Sequence, residues 1–211
     1  MDERLLEVAR AVKGFMPDDE GMALHEAALE AGRLGPLLEI GTYCGKSAVY
    51  LGAAARAAGT VLFTVDHHRG SEENQAGWEH HDRDVVDPDT GRMDTLPFFR
   101  RTLDAAGLED VVVGIVGQSV AVARAWRTPV AFLFIDGGHA EDVAMADYAS
   151  WTPHVMPGGT LAVHDVFEDP ALGGQAPYRV WQRAVAEGYE PVSTTGSLRV
   201  LRNATSGLTR R

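Results

Sequence analysis

Five short apolar runs in this chain each end in residues able to do chemistry. Leu37–Gly41 (LLEIG) carries Glu39 and leads into Thr42-Tyr43-Cys44-Gly45-Lys46-Ser47. Val61–Asp66 (VLFTVD) is followed by His67, His68 and Arg69. Asp110–Gly117 leads to Gln118-Ser119, Val130–Asp136 to Gly137-Gly138-His139, and Gly159–Asp165 ends in His164-Asp165. Two carboxylates at neighbouring strand ends, Asp136 and Asp165, would repel unless a cation lies between them. Oxygen ligands favour Mg²⁺ over Zn²⁺. The imidazole of His139, close in the chain to Asp136, is a group able to take up a proton near neutral pH. The plainer reading is that both acids cap backbone amides and bind water.

The first turn is tested against two phosphate cradles. A dinucleotide fingerprint needs glycine where Tyr43 stands. A P-loop ends in Gly-Lys-Ser as Gly45-Lys46-Ser47 does, but its first glycine would fall on Ile40. Counted from Gly41 the loop is one residue short, which changes the nest. An NTPase therefore stays open as an alternative, with Val130–Asp136 as a strand that could bring the partner acid. The remaining pattern is Glu-x-Gly-x-x-x-Gly, with Asp66 closing the second run.

These residues need a scaffold that brings them together. The apolar runs alternate with helical stretches at Lys46–Ala58, Asp94–Ala106, Ser119–Arg127, Ala140–Trp151 and one closing at Ala184–Glu187. That alternation predicts a doubly wound, mostly parallel α/β sheet, whose strands are covered on both faces and whose ligands sit at the carboxyl ends. The turn Met156-Pro157-Gly158-Gly159 is expected to precede the fifth strand. Tyr189–Thr194 and Leu198–Arg202, around Gly196-Ser197, read as an antiparallel hairpin. Residues 1–33 read as two helices with Pro17-Asp18 between them. Residues 67–93, with four histidines and Trp78, are long for a strand-to-helix loop and read as a lid-like insertion. His164 has two readings, a core histidine or a member of the site.

Composition narrows the classes. The 211 residues fit one domain over 1–211. Lys plus Arg number 19 against 30 Asp plus Glu, a net charge of −11, so no basic stripe invites nucleic acid. One cysteine, Cys44, excludes a disulfide framework and a cysteine zinc site. No apolar run reaches a membrane span, and MDERLLEVAR is no secretory signal, so a cytoplasmic protein is expected.

LLEIGTYCGKSAVYL resembles the cofactor motif of class I S-adenosylmethionine-dependent methyltransferases, and the resemblance runs over roughly residues 35–203. It implies a Rossmann-like seven-stranded sheet with a C-terminal antiparallel hairpin. S-adenosylmethionine would lie against Glu39, Gly41, Tyr43, Gly45, Ser47, Asp66, His67, Gln118, Ser119 and Asp136. Asp66 takes the place that holds the ribose hydroxyls, and Gln118-Ser119 the place beside the adenine. Ile135-Asp136-Gly137-Gly138-His139 is similar to the Ile-Asp-Gly-x-His turn of metal-dependent sugar O-methyltransferases. Carried over, Asp136 and Asp165 are ligands of a Mg²⁺ ion, His139 is the general base, and His68, Arg69 and His139 face the acceptor. The segment VDHHRGSEEN is similar to members acting on methylated mannosides. Where that group often has a further carboxylate or Asn, directly after the second Asp, this chain has Val166. The resemblance also implies a homodimer and a sugar or oligosaccharide acceptor. A protein that keeps the fold and binds the cofactor without turnover is the non-catalytic alternative.

Overall fold

In the computed structural model, which describes residues 1–71 and 82–204, the apolar runs pair into one sheet. Its elements are α1 (Glu3–Ala11), α2 (Asp18–Gly32), β1 (Leu37–Ile40), α3 (Lys46–Ala58), β2 (Leu62–Asp66), α4 (Leu96–Ala106) and β3 (Val112–Val116). These are followed by α5 (Ser119–Ala125), β4 (Val130–Ile135), α6 (Glu141–Trp151), β5 (Val155–Val163), α7 (Ala176–Ala186), β6 (Tyr189–Thr195) and β7 (Leu198–Asn203). The strand order is β3-β2-β1-β4-β5-β7-β6. The first five strands run parallel, and β7 and β6 are antiparallel to their neighbours. The chain reverses its winding between β1 and β4, which places a crevice at their carboxyl ends.

Successive residues of a strand point to opposite faces, and the core divides accordingly. Leu37, Phe132, Phe134 and Ala162 join α1 to α4 on one side. Leu38, Ile40, Leu133, Ile135, Leu161 and Val163 join α5, α6 and α7 on the other. Burial of these apolar faces is the main favourable term holding the layers together. The helical pair α1 and α2 packs in the same layer as α3. Among the described residues no helix is long and apolar enough to cross a membrane.

Two expectations need correction. The residues Met156–Gly159 do not form a turn before the fifth strand. They lie inside β5, whose register with β4 shifts between Val130 and Phe132. A Pro-Gly-Gly run that reads as a turn here makes a bulge. Nor is every strand covered on both faces: β3 is the edge, and Val113 and Val116 are exposed. Smaller shifts affect helix ends, with α4 starting at Leu96 and α5 ending at Ala125. Of the expected insertion, residues 67–71 and 82–93 are described, and Trp78 lies outside the described residues. Val85 and Met93 anchor the second part by packing with Cys44.

Candidate active site

Three non-glycine residues among those described have positive φ, and each follows a strand end. They are Tyr43 (φ 50) after β1, His68 (φ 58) after β2 and Asp165 (φ 54) after β5. Left-handed backbone at such residues is costly, and it clusters where a fold is built for a ligand or reaction.

The β1 turn is built from backbone. Gly41 has φ 88, and a Cβ there would lie 2.2 Å from the Asp136 carbonyl oxygen, so only glycine fits where β1 meets β4. The amides of Thr42 and Tyr43 both donate to Asp66 Oδ2 at 2.9 Å, and His68 N donates to Oδ1 at 2.7 Å. Asp66 thus latches the turns after β1 and β2 together, and its oxygens keep further lone pairs. Gly45 caps α3, and Ser47 Oγ donates to Glu39 Oε1 at 2.5 Å. Glu39 is wholly buried, and its Oε2 has no hydrogen-bond partner. Burial pushes its carboxyl up to about 7, against the Ser47 bond.

The β4 and β5 ends are built from charge. His139 Nε2 lies 3.1 Å from Asp165 Oδ2. His164 Nδ1 lies 3.0 Å from Asp136 Oδ1 and 3.5 Å from Asp165 Oδ2. Its Nε2 faces Glu20 Oε2 at 2.5 Å. Both ring nitrogens of His164 therefore face carboxylates, which calls for the doubly protonated imidazolium. Burial opposes that charge, but Asp136, Asp165 and Glu20 push its pKa up to about 12. For Asp165, hydrogen bonds from His139 and His164 outweigh burial and hold the carboxyl below its usual range. Asp136 goes the other way: burial raises it, opposed by His164. One ligand atom each from Asp136, His139 and Asp165 can lie within 4.8 Å of one another, a spacing that fits a metal ion. Two carboxylates and an imidazole make a donor set broader in taste than the all-oxygen pair read from the sequence.

The fold thus gathers Glu39, Gly41, Tyr43, Gly45, Ser47 and Asp66 at one place, and Asp136, His139 and Asp165 at the next. Ser119 begins α5 and its Oγ accepts from Trp151 Nε1 at 2.7 Å, while Gln118 beside it is exposed. His67 Nδ1 accepts from Arg69 N at 3.1 Å. Arg69 reaches Met93 O at 3.1 Å and Asp94 at 3.6 Å. His68 is 3% exposed, with Nδ1 at 2.8 Å from Thr95 Oγ1. Lys46 begins α3 with its stem against Gly14. His164 combines both of its readings, being buried and part of the charge cluster. Sequence reasoning missed Glu20 and Ser197. An acid in the first turn of a helix reads as a macrodipole partner, so no local signal marks Glu20.

A protein-family model described as "Methyltransferase domain" matches residues 38–166, which include the ends of β1 to β5. Among solved structures, the O-methyltransferase from Bacillus cereus in complex with SAH is 19% identical, covers 96% of this chain and 91% of its own, and superposes with a TM-score of 0.63. The O-methyltransferase TomG from Streptomyces achromogenes, involved in tomaymycin synthesis and solved with SAM, gives the same identity, coverage and TM-score. The cofactor-bound Rv0187 from MTB is 18% identical, with 96% and 88% covered and a TM-score of 0.65. At such identities the likeness is one of fold.

Proposed function

The chain belongs to this methyltransferase-domain family, and from that premise we propose that it is an S-adenosylmethionine-dependent O-methyltransferase acting on a small-molecule hydroxyl. The observation that carries the reading is the pairing of two unlike devices on one sheet edge: a latched glycine turn at β1–β2, and Asp136, His139 and Asp165 at β4–β5. The solved relatives named for O-methyl transfer, with SAM or SAH bound, support it.

In this reading Gly41–Gly45 would hold S-adenosylmethionine, Asp66 would accept from its ribose hydroxyls, and Gln118-Ser119 would take its adenine. His139 takes the proton of the acceptor hydroxyl as the oxygen attacks the sulfonium methyl. A carbon–oxygen bond forms, the carbon–sulfur bond breaks, and sulfur keeps the electron pair. Asp165, 3.1 Å from His139, steadies the imidazolium that results. Asp136 and Asp165 would hold a Mg²⁺ ion, which when bound lowers the pKa of a hydroxyl it touches. Because His139 Nε2 faces Asp165, the base role proposed falls to Nδ1, the nitrogen opposite the one that the carboxylate holds. We take the acceptor to be a sugar or oligosaccharide hydroxyl, with the 1-hydroxyl of a methylated mannoside as first candidate, because the 65–74 segment resembles enzymes of that kind. Residues 67–93 would cover the acceptor, 1–211 would act as one unit, and two copies would pair.

Calorimetric titration with S-adenosylhomocysteine, beside ATP and NAD, is the test. Micromolar binding of S-adenosylhomocysteine alone is expected, and binding of ATP in its place would overturn the reading. Methyl transfer to mannosides should then stop with EDTA and return with Mg²⁺. Undiminished transfer in EDTA would leave His139 as base and remove the metal.

A further inference from the structure

Glu20 is an acid with nowhere to go but inward. It sits in the first turn of α2, is 4% exposed, and meets His164 across 144 residues of chain. Its carboxylate accepts from three donors. His164 Nε2 lies at 2.5 Å from Oε2, Ser197 N at 2.6 Å from Oε1, and Ser197 Oγ at 3.2 Å from Oε2. Gly196, beside Ser197 in the β6–β7 turn, has φ 51. A Cβ there would fall 2.0 Å from Glu20 Oε1. The turn is therefore shaped to leave this carboxylate its seat. On the far side of the ring, His164 Nδ1 holds Asp136 Oδ1 at 3.0 Å.

A buried ion pair is weak evidence of a gain in stability, since apolar residues of like volume often do as well. This one ends in the site. We infer that Glu20 is a positioning residue for the reaction centre: it fixes the His164 ring, and the ring fixes which Asp136 oxygen remains for a ligand. This rests on the reading of Asp136, His139 and Asp165 given above. A carboxylate behind a histidine sets ring orientation in the same way where that ring binds a metal directly. Here the ring acts one step further back, on the carboxylate.

Three full-length variants test it. Glu20→Gln keeps the shape and an acceptor for Ser197 but removes the charge facing His164. Gly196→Ala keeps the acid and drives a methyl group into its seat. Gly59→Ala is the control, with φ 73 and nothing within 4 Å of its Cβ. Titration with S-adenosylhomocysteine reads the β1–β2 turns, and titration with Mn²⁺ reads the acidic cluster. Proton–nitrogen correlation spectra of the histidine rings read His164 and His139 directly. Glu20→Gln and Gly196→Ala should leave S-adenosylhomocysteine binding unchanged, weaken Mn²⁺ by about 10–100-fold, and shift the ring signals of both histidines. Gly59→Ala should change none of these. Unchanged Mn²⁺ affinity and an unmoved His139 signal in Glu20→Gln would overturn the inference. Should Glu20→Gln not fold, the same result in Gly196→Ala would overturn it. If the parent protein takes up no Mn²⁺, the metal part of the proposed function fails, and the His139 signal alone decides about Glu20.

Discussion

The two sides of the crevice are made of different materials. At β1–β2, backbone amides, glycines and one latching carboxylate shape a turn, and the partners lie close in the chain: Glu39 and Ser47 are eight residues apart, Thr42 and Asp66 twenty-four. At β4–β5, charged side chains hold one another, and the acid behind them comes from 144 residues away. The first side suits a ligand that must be held the same way each time. The second suits a reaction in which charge changes hands, because fixed opposite charges need no rearrangement when it does.

If that division is right, substitutions should separate binding from transfer. His139→Ala should lower kcat by about 10²–10⁴ and leave S-adenosylhomocysteine affinity alone. Steady-state rates on the acceptor found by the mannoside screen, beside calorimetry, check this, and a near-normal rate would remove His139 as base.

Glu39 sharpens the contrast, since it is the acid of the β1–β2 side that burial leaves half unpartnered. Its folded pKa is about 7 against an ordinary 4.5. The folded chain therefore keeps a proton that the unfolded chain has lost. Stability falls as pH rises from about 4.5 to about 7, by about 3 kcal/mol in all, and no further above that. Glu39→Gln should match the parent near pH 5 and be the more stable near pH 8, as read by urea unfolding at both. Parallel curves would mean that Glu39 is charged in the folded chain. The smallest effect expected is that of Asp66→Ala. Removing a charged acceptor from backbone donors costs about 1.5–3 kcal/mol for a single bond, so S-adenosylhomocysteine should bind about 10–100-fold more weakly while Mn²⁺ binding holds.

The same division governs what could be read beforehand. Gly41, Gly45 and Asp66 stood out because a turn and its latch need particular residues at short spacing. Asp136, His139 and Asp165 stood out because polar groups at the ends of apolar runs are conspicuous. Lys46–Ala58 was bounded correctly because Gly45 and Gly59 stand just outside it. Pro157-Gly158-Gly159 misled, since a bulge and a turn use the same residues and only the neighbouring strand decides between them. The exposed face of β3 was hidden because Val-rich runs look alike at the edge and the centre of a sheet. Glu20 could not be found at all: its partners are set by how α2 crosses the sheet, and nothing within its own helix reports that.

The seat of Glu20 also orders events in time. A chain made from its N-terminus delivers this acid first, His164 much later, and Ser197 later still, 177 residues after the acid. Until then the carboxylate has no shelter and keeps its water. Contacts of such long separation form late and slowly, since most of the loop must close first. A nascent chain stopped short of the β6–β7 turn would hold all five parallel strands and still lack the clasp on its own first layer. The β6–β7 turn, which leaves the ribosome after the five parallel strands, is thus the one that seats this acid.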